Sequence, residues 1–211
     1  ALLDQTAPLG DPTAADTAIF YSISNCQTGL SGISFGDFLI KRVADRLHEE
    51  LPHLKTFATL SPIPGFRAWL ERRIATGEKL LTDAERESLP EEVRAETLDK
   101  ILAVPRWQED TALTDALRGP LTRLCARYLL TEKRASTGTV ADSVAHFHLT
   151  NGARRKQLDW LADTSTYGLT QSGGMRINYL YKLSDIEQNH EACVTVRQIA
   201  ASPAIQRLAK G

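Results

Sequence analysis

The stretch Ile19–Phe66 reads IFYSISNCQTGLSGISFGDFLIKRVADRLHEELPHLKTFATLSPIPGF, and the fold of the chain is interpreted outward from it. Its first six residues mix β-branched and aromatic side chains, which is typical of a strand. A glycine-bearing turn follows, and apolar residues spaced by three and four then predict a helix that begins at Ser34 or Phe35 and ends before Pro52. Residues 55–60 predict a second strand. The stretch therefore predicts a strand–helix–strand unit.

The turn between the first strand and the helix has the composition of an anion-binding site. The first amides of a helix lack intrahelical partners and carry partial positive charge, and glycines let a phosphate approach the backbone. The Walker lysine and the three-glycine dinucleotide pattern are both absent, so Gln-x-Gly-x-x-Gly alone fits an ordinary turn equally well. The residues of this turn are Gln27, Thr28, Gly29, Leu30, Ser31 and Gly32.

The bulk composition describes a water-soluble protein with a sizeable core. The chain has 211 residues, of which 42% are hydrophobic and 24% charged, and its formal net charge is −1. That charge gives no reason to expect a nucleic acid or an anionic membrane as a partner. Cys26, Cys125 and Cys193 are few and widely spaced, which favours reduced thiols and a cytoplasmic location, without structural zinc. The start of the chain lacks the features of a secretory signal.

The region that follows the strand–helix–strand unit is rich in charge and in helical patterns. Residues 67–134 are interpreted as a helical insertion or as a helical layer on the sheet. Thr82 opens a capping-box pattern. A longer helix is expected to start after Pro120, because apolar residues recur there at helical spacing.

The last third of the chain returns to mixed structure. Residues 141–149 fit a short helix, and the Gly152 that follows is typical of a helix end. Residues 156–163 do not favour one kind of structure, whereas residues 177–183 alternate as a strand does. Ser202 followed by proline predicts the start of a final short helix.

The glycine-bearing turn resembles the pyrophosphate loop of the N-acetyltransferase superfamily, which holds coenzyme A. Longer blocks of the chain resemble the malonyl-CoA decarboxylase family in residues and in spacing. These blocks are Tyr21–Ser24, Gly29–Leu30, Phe38–Val43 and Leu60–Phe66.

The resemblance implies an α/β (α+β) fold with an acetyltransferase-like mixed sheet flanked by helices. Residues 1–66 would form the CoA-binding core, 67–134 the helical insertion and 135–211 the remainder of the catalytic core. Members of the family are longer, so we expect this chain to be a carboxy-terminal portion whose sheet lacks its early strands. The amino-terminal portion of the same protein is then an expected partner.

His148 is the first candidate for chemistry, because the Phe-His-Leu block of the family carries its catalytic histidine. An unperturbed imidazole pKa of about 6.5 suits proton transfer near neutral pH. A surface or core histidine bonded to a neighbour would look the same in sequence, and the residues alone favour that reading. His146 is read as structural because it points elsewhere on a helix.

Three further residues carry roles that the resemblance implies. Ser61 matches the family's catalytic serine, although serines in rigid turns are common and no Gly-x-Ser-x-Gly motif surrounds it. Tyr181 and Ser22 match other residues proposed for that active site, and both fit core or strand roles equally well. Ser34 stands where some members have a glutamate, which puts an essential role for that acid in doubt here. Family-like blocks at 163–165 and 170–174 are expected to wall the active site.

The resemblance implies decarboxylation of malonyl-CoA to acetyl-CoA and carbon dioxide. No cofactor is expected, because the substrate thioester can stabilise the carbanion as an enolate. An acyl-CoA-dependent acyltransferase on the same fold and an inert CoA-binding fragment remain alternatives. A homo-oligomer is expected, because related enzymes form oligomers.

Overall fold

The computed structural model of the protein describes residues 10–21, 39–195 and 199–210. The predicted phosphate-binding turn at residues 27–32, Ser22 and the predicted helix start at Ser34 or Phe35 lie outside the described residues.

Within the described residues, four strands form one mixed sheet in the order β1-β2-β4-β3. β1 is parallel to β2, whereas β4 is antiparallel to both of its neighbours. The strands are β1 (Thr17–Phe20), β2 (Thr56–Thr59), β3 (Arg154–Asp159) and β4 (Arg176–Tyr181). Together with the helices this confirms the predicted mixed α/β fold.

The helices are distributed before, between and after these strands. Short 3-10 turns occur at Pro12–Ala14, Trp107–Glu109 and Leu183–Asp185. The α-helices of the described ranges are α1 (Leu39–Glu50), α2 (Phe66–Ala75), α3 (Asp83–Glu87), α4 (Leu98–Ile101), α5 (Thr111–Thr131), α6 (Ser143–Thr150), α7 (Thr166–Ser172), α8 (Ile186–Thr195) and α9 (Pro203–Leu208). No helix in these ranges is both long and apolar enough to cross a lipid bilayer.

The predicted strand–helix–strand unit is present as β1, α1 and β2. The two strands pair in parallel from Thr17 with Thr56 to Phe20 with Thr59. A parallel pair requires a crossover connection, and α1 lies in it. β1 begins two residues before the predicted Ile19, whereas β2 agrees with the prediction within one residue at each end.

The start predicted for the long helix α5 is wrong, because the helix runs through Pro120. It begins after Asp110, whose carboxylate accepts the Leu113 amide at 3.0 Å as an N-cap. A proline inside a helix costs about 3 kcal/mol. Buried leucines on both sides of it, among them Leu117 and Leu121, offset that cost at about 1.5–3 kcal/mol each.

β3 occupies part of the segment that the sequence left undecided. Its alternation is irregular because Arg155 points into the core with 0% exposure, and the register shifts between Arg155 and Gln157. A charged side chain at an inward position and a bulge together hide the period of two on which strand prediction depends.

Helices and turns make up most of residues 67–134, as predicted for their secondary structure, and Lys133 near the end of this range forms a β-bridge with Val140. The domain boundaries drawn there remain a prediction. α2 and α5 meet in an aromatic cluster of Phe66, Trp69 and Tyr128, with ring centroids 5.6–6.0 Å apart. The predicted capping box at Thr82 is present at the start of α3. These contacts bury the layer of helices that follows β2.

Both ends of α6 are fixed by short-range geometry. Asp142 is the N-cap and accepts the Ala145 amide at 2.8 Å. At the other end Gly152 has φ +81°, and a Cβ there would overlap the Ile186 carbonyl oxygen. Glycine is therefore required where α6 stops, and the predicted helix end is confirmed.

Gly65 gives a test of the packing between α2 and α5. A Cβ at Gly65 would overlap the Tyr128 hydroxyl oxygen, which lies 3.5 Å from the Asp142 carboxylate. We expect Gly65→Ala to lower the free energy of unfolding by about 1–3 kcal/mol, because a close-packed core resists an added methyl group. Urea unfolding measures this change.

The matched control for this overlap is Tyr128→Phe. Removing the hydroxyl oxygen from the Gly65→Ala variant should restore part of the lost stability. If the double variant lost the sum of the two single effects, the overlap would not be the cause.

Candidate active site

The candidate active site lies on the face of the sheet that α6 covers. Tyr179 and Tyr181 are two residues apart on β4 and therefore point to the same face. Thr59 is the last residue of the neighbouring strand β2, and Ser61, two residues further on, pairs with Ile177 of β4. His148, in the last turn of α6, contacts this face and is 2% exposed.

The structure brings three of the predicted site residues together. The Tyr181 hydroxyl lies 2.7 Å from Nδ1 of His148, and Ser61 Oγ lies 3.0 Å from Nε2. All three side chains are buried. The imidazole is therefore hydrogen-bonded at both ring nitrogens, by groups 33 and 87 residues away in sequence.

Both backbone groups of Ser61, its amide and its carbonyl, are hydrogen-bonded to Ile177. Its amide donates to the Ile177 carbonyl at 2.9 Å, and its carbonyl accepts the Ile177 amide at 3.0 Å. This isolated bridge continues the register of the β2–β4 pair beyond the end of β2. The hydroxyl is thus carried on a rigid sheet position rather than on a free loop.

Thr59 belongs to the same network and was missed from the sequence. Its Oγ1 accepts the Ser61 hydroxyl at 2.8 Å and the Tyr179 amide at 3.1 Å. Its carbonyl accepts the Asn178 side-chain amide at 2.8 Å. The signal that could have found it is position, since a residue two before Ser61 in a strand shares its face.

Tyr179 packs against one face of the imidazole. Its ring stacks on His148 with centroids 4.4 Å apart and planes 23° apart. Opposite it on β3 lies Arg155, which is fully buried and whose positive charge interacts with the Tyr179 hydroxyl. Burial raises the pKa of Tyr179, and Arg155 opposes that effect. Sequence reasoning read this segment as a strand and assigned Tyr179 no role.

Asp163, in one of the blocks predicted to line the site, acts on the backbone beside Ser61 through Arg176. Asp163 pairs with Arg176 at 2.7 Å, and Arg176 donates to the Leu60 carbonyl at 3.3 Å. Leu60 immediately precedes Ser61. These residues therefore fix the backbone next to the serine, and the described contacts do not bring Asp163 to His148.

Burial sets the protonation state of the site. It lowers the pKa of His148 from 6.5 to about 3, so the imidazole is neutral at neutral pH. Burial also raises the pKa of Tyr181 above its ordinary value of 10.0, so the phenol keeps its proton. A hydroxyl can donate or accept, so the neighbours of the ring suit a neutral imidazole and an imidazolium alike. The arrangement is suited to proton transfer.

No group of three His, Cys, Asp or Glu side chains in residues 10–21, 39–195 and 199–210 is placed to hold a metal ion. Ser22 and the turn Gln27–Gly32 lie outside these ranges, so their predicted roles remain predictions.

Comparison with known proteins gives consistent matches to one family. The family model described as malonyl-CoA decarboxylase C-terminal domain matches residues 1–211. The mitochondrial malonyl-CoA decarboxylase of Anser anser anser is 41% identical over 204 residues, which cover 92% of this chain and 40% of that protein. That of Rattus norvegicus is 42% identical over 200 residues, covering 90% of this chain and 40% of that protein.

Solved structures agree with these sequence matches. The malonyl-CoA decarboxylase from Rhodopseudomonas palustris superposes with a TM-score of 0.86 at 44% identity, covering 98% of this chain and 45% of that one. The protein from Agrobacterium vitis gives 0.85 at 45% identity, covering 99% of this chain and 49% of that one. The chain spans about two fifths of the length of the curated relatives it matches.

The buried imidazole predicts a dependence of stability on pH. The folded protein protonates His148 only near pH 3, whereas an unfolded chain does so near pH 6.5. Between these values the unfolded chain holds one more proton, so the free energy of unfolding falls as the pH falls, by about 1.4 kcal/mol per pH unit at most.

Urea unfolding of the wild type and of His148→Gln at two pH values isolates this contribution. Between about pH 7 and about pH 5, we expect the wild type to lose about 2 kcal/mol more than the variant. Equal losses in both proteins would show that His148 titrates normally in the folded state.

Proposed function

Because the chain belongs to the malonyl-CoA decarboxylase family, we propose that it carries the decarboxylation of malonyl-CoA to acetyl-CoA and carbon dioxide. The observation that supports this most is the buried imidazole of His148, bonded at its two nitrogens by Ser61 and Tyr181. A proton donor must be held in a fixed orientation toward the atom that receives the proton, and the two hydrogen bonds hold this imidazole in one orientation.

The proposed reaction breaks one carbon–carbon bond. The bond between the malonyl carboxylate carbon and the α-carbon breaks, and its electron pair passes to the α-carbon and onto the thioester oxygen as an enolate. Carbon dioxide leaves, and one proton adds to the α-carbon to give the acetyl group. The thioester stabilises the carbanion, so we propose that no cofactor takes part. Fixed hydrogen-bond donors would stabilise the enolate oxygen.

His148 is the proposed proton donor. The imidazole is neutral in the substrate-free site, because burial lowers its pKa. A malonyl carboxylate next to it would raise that pKa again, since an opposite charge favours the charged form of a histidine. Substrate binding would thus favour protonation of His148, and the enolate would later receive this proton. Tyr181 can serve both states, donating to the neutral ring and accepting from the imidazolium.

The remaining parts of the proposal concern binding. The turn Gln27–Gly32 and the helix after it would hold the coenzyme A phosphates. Ser61 would hydrogen-bond the malonyl carboxylate or orient His148, and Ser22 would belong to the same site.

We further propose a homo-oligomer and the amino-terminal portion of the same protein as partners. We also propose a cytoplasmic location, because the cysteines are few and widely spaced. The curated relatives cited above are named mitochondrial. Gel filtration and cell fractionation test these points.

The deciding experiment is acetyl-CoA production from malonyl-CoA by the wild type and by His148→Gln, with CoA affinity measured on both. We expect the variant to lose about 10²–10⁴-fold in kcat, the range of a general acid, with CoA affinity unchanged. His146→Gln is the matched control, because it changes the same helix two residues away without touching the described network.

Two outcomes would contradict this proposal. Equal kcat in the wild type and in His148→Gln would remove His148 as the proton donor. Tight CoA binding without turnover, even after the amino-terminal portion is added, would favour an acyltransferase or an inert binding fragment.

Ser61→Ala separates an orienting or anchoring serine from a nucleophile. We expect turnover to fall by about 10–100-fold and to remain measurable, because the variant loses one hydrogen bond to a charged group. Mass spectrometry of the wild type during turnover is the second measurement. An acylated Ser61, with activity abolished in the variant, would assign the serine as a nucleophile.

A further inference from the structure

Thr59 occupies an unusual place in the sheet. It is 0% exposed and carries a hydroxyl on the face that α6 covers. Its Oγ1 accepts the Tyr179 backbone amide, a bond that the strand ladder would otherwise satisfy with a carbonyl. The side-chain amide of Asn178 donates to the Thr59 carbonyl. The ladder between β2 and β4 is thus replaced by side-chain bonds at the residue pair beside the active site.

The second bond of Thr59 determines where the Ser61 hydrogen goes. A serine hydroxyl has one hydrogen, and in this structure it is donated to Thr59 Oγ1 at 2.8 Å. Ser61 Oγ can then only accept from His148 Nε2, which lies 3.0 Å away. A neutral imidazole has one N–H, so Nε2 carries it and Nδ1 accepts from Tyr181.

We propose that Thr59 is a positioning residue that gives this hydrogen-bond chain its direction. It turns the Ser61 hydrogen away from the histidine, holds the neutral His148 with its hydrogen on Nε2, and leaves no base to activate Ser61 as a nucleophile. Of the two roles proposed for Ser61, this arrangement favours orienting His148, because the serine has no hydrogen left to donate to a malonyl carboxylate. The inference rests on the proposed function for its kinetic consequence, whereas the position of the hydrogen can be observed without any substrate.

The same geometry predicts what happens when the hydroxyl is removed. In Thr59→Val, which keeps the shape of the side chain, Ser61 loses its acceptor and can donate to His148 Nε2 instead. The imidazole hydrogen then moves to Nδ1 and is donated to the Tyr181 oxygen, whose own hydrogen turns away from the ring. The imidazole is held in the opposite tautomer with little change in side-chain volume.

The test is nitrogen NMR of histidine-labelled protein, with the His148 signals assigned by comparison with His148→Gln. We expect the substrate-free wild type to show a protonated Nε2 and an unprotonated Nδ1, and Thr59→Val to show the reverse. Thr59→Ser retains the hydroxyl and should keep the wild-type pattern. A wild type protonated on Nδ1 would overturn the proposal, even if Thr59→Val failed to fold.

Kinetics on the same proteins test the consequence for catalysis. We expect Thr59→Val to lower kcat by about 10²-fold with KM little changed. When the imidazolium gives up its proton it must return to the neutral tautomer that the network favours, and the variant favours the other tautomer. Thr59→Ser should restore most of the activity. If the tautomer and kcat were both unchanged in folded Thr59→Val, Thr59 would serve only to satisfy the Tyr179 amide.

The two proposals fail in different ways. A tautomer that reverses as expected in a protein that never decarboxylates malonyl-CoA would uphold the position of the hydrogen and reject the reaction. Normal turnover in Thr59→Val with a reversed tautomer would uphold the reaction and reject the role of Thr59 in it.

Discussion

An imidazole bonded at both nitrogens in a place that solvent does not reach is the constraint on which the described structure depends. A buried polar group without a partner costs about 1–3 kcal/mol, so each nitrogen of His148 must meet a hydroxyl in good geometry. That requirement fixes α6 against the β2–β4 pair to within the tolerance of a hydrogen bond. The N-cap at Asp142 and the glycine at position 152 set where this helix starts and stops, and therefore where the histidine falls.

The imidazole lies close to several buried polar groups inside an apolar core. Tyr179 supports the ring from below, and Arg155 places a buried positive charge near the Tyr179 hydroxyl. Asp142 lies in the same region, and burial raises the pKa of its carboxyl while the backbone amides that it caps oppose that effect. The three guanidinium nitrogens of Arg155 and the Tyr179 hydroxyl make no direct hydrogen bond among the described residues, so Arg155 acts on Tyr179 chiefly through its charge.

Local signals in the sequence predicted much of the fold, and long-range contacts explain what was missed. The unit of β1, α1 and β2, the capping box at Thr82 and the end of α6 were predicted because each depends on residues within one or two turns. The sequence predicts a helix start at Pro120 because the cost of an internal proline is visible in the sequence. The burial of the leucines that offset this cost is visible only in the structure. The sequence does not predict β3 as a strand, because a charged residue, Arg155, occupies an inward position where an apolar residue is expected.

The same division applies to the candidate site. His148, Ser61 and Tyr181 were chosen by resemblance, and the structure brings them into contact across 87 and 33 residues. Thr59 and Tyr179 were missed because each has an ordinary strand role in sequence. Only the pairing of β2 with β4 shows that their polar atoms meet the catalytic candidates.

Burial links the charge of His148 to substrate binding in the proposed reaction. A cationic His148 would lose the solvation that water gives to a charge, and the lowered pKa of His148 reflects that cost. In the proposed reaction the anionic malonyl group would supply an opposite charge, so proton uptake and substrate binding would favour each other. The products would be carbon dioxide and acetyl-CoA, whose acetyl group carries no charge, and the proton would by then have been transferred to carbon. The imidazole would return to its neutral form without having to release a proton through the core.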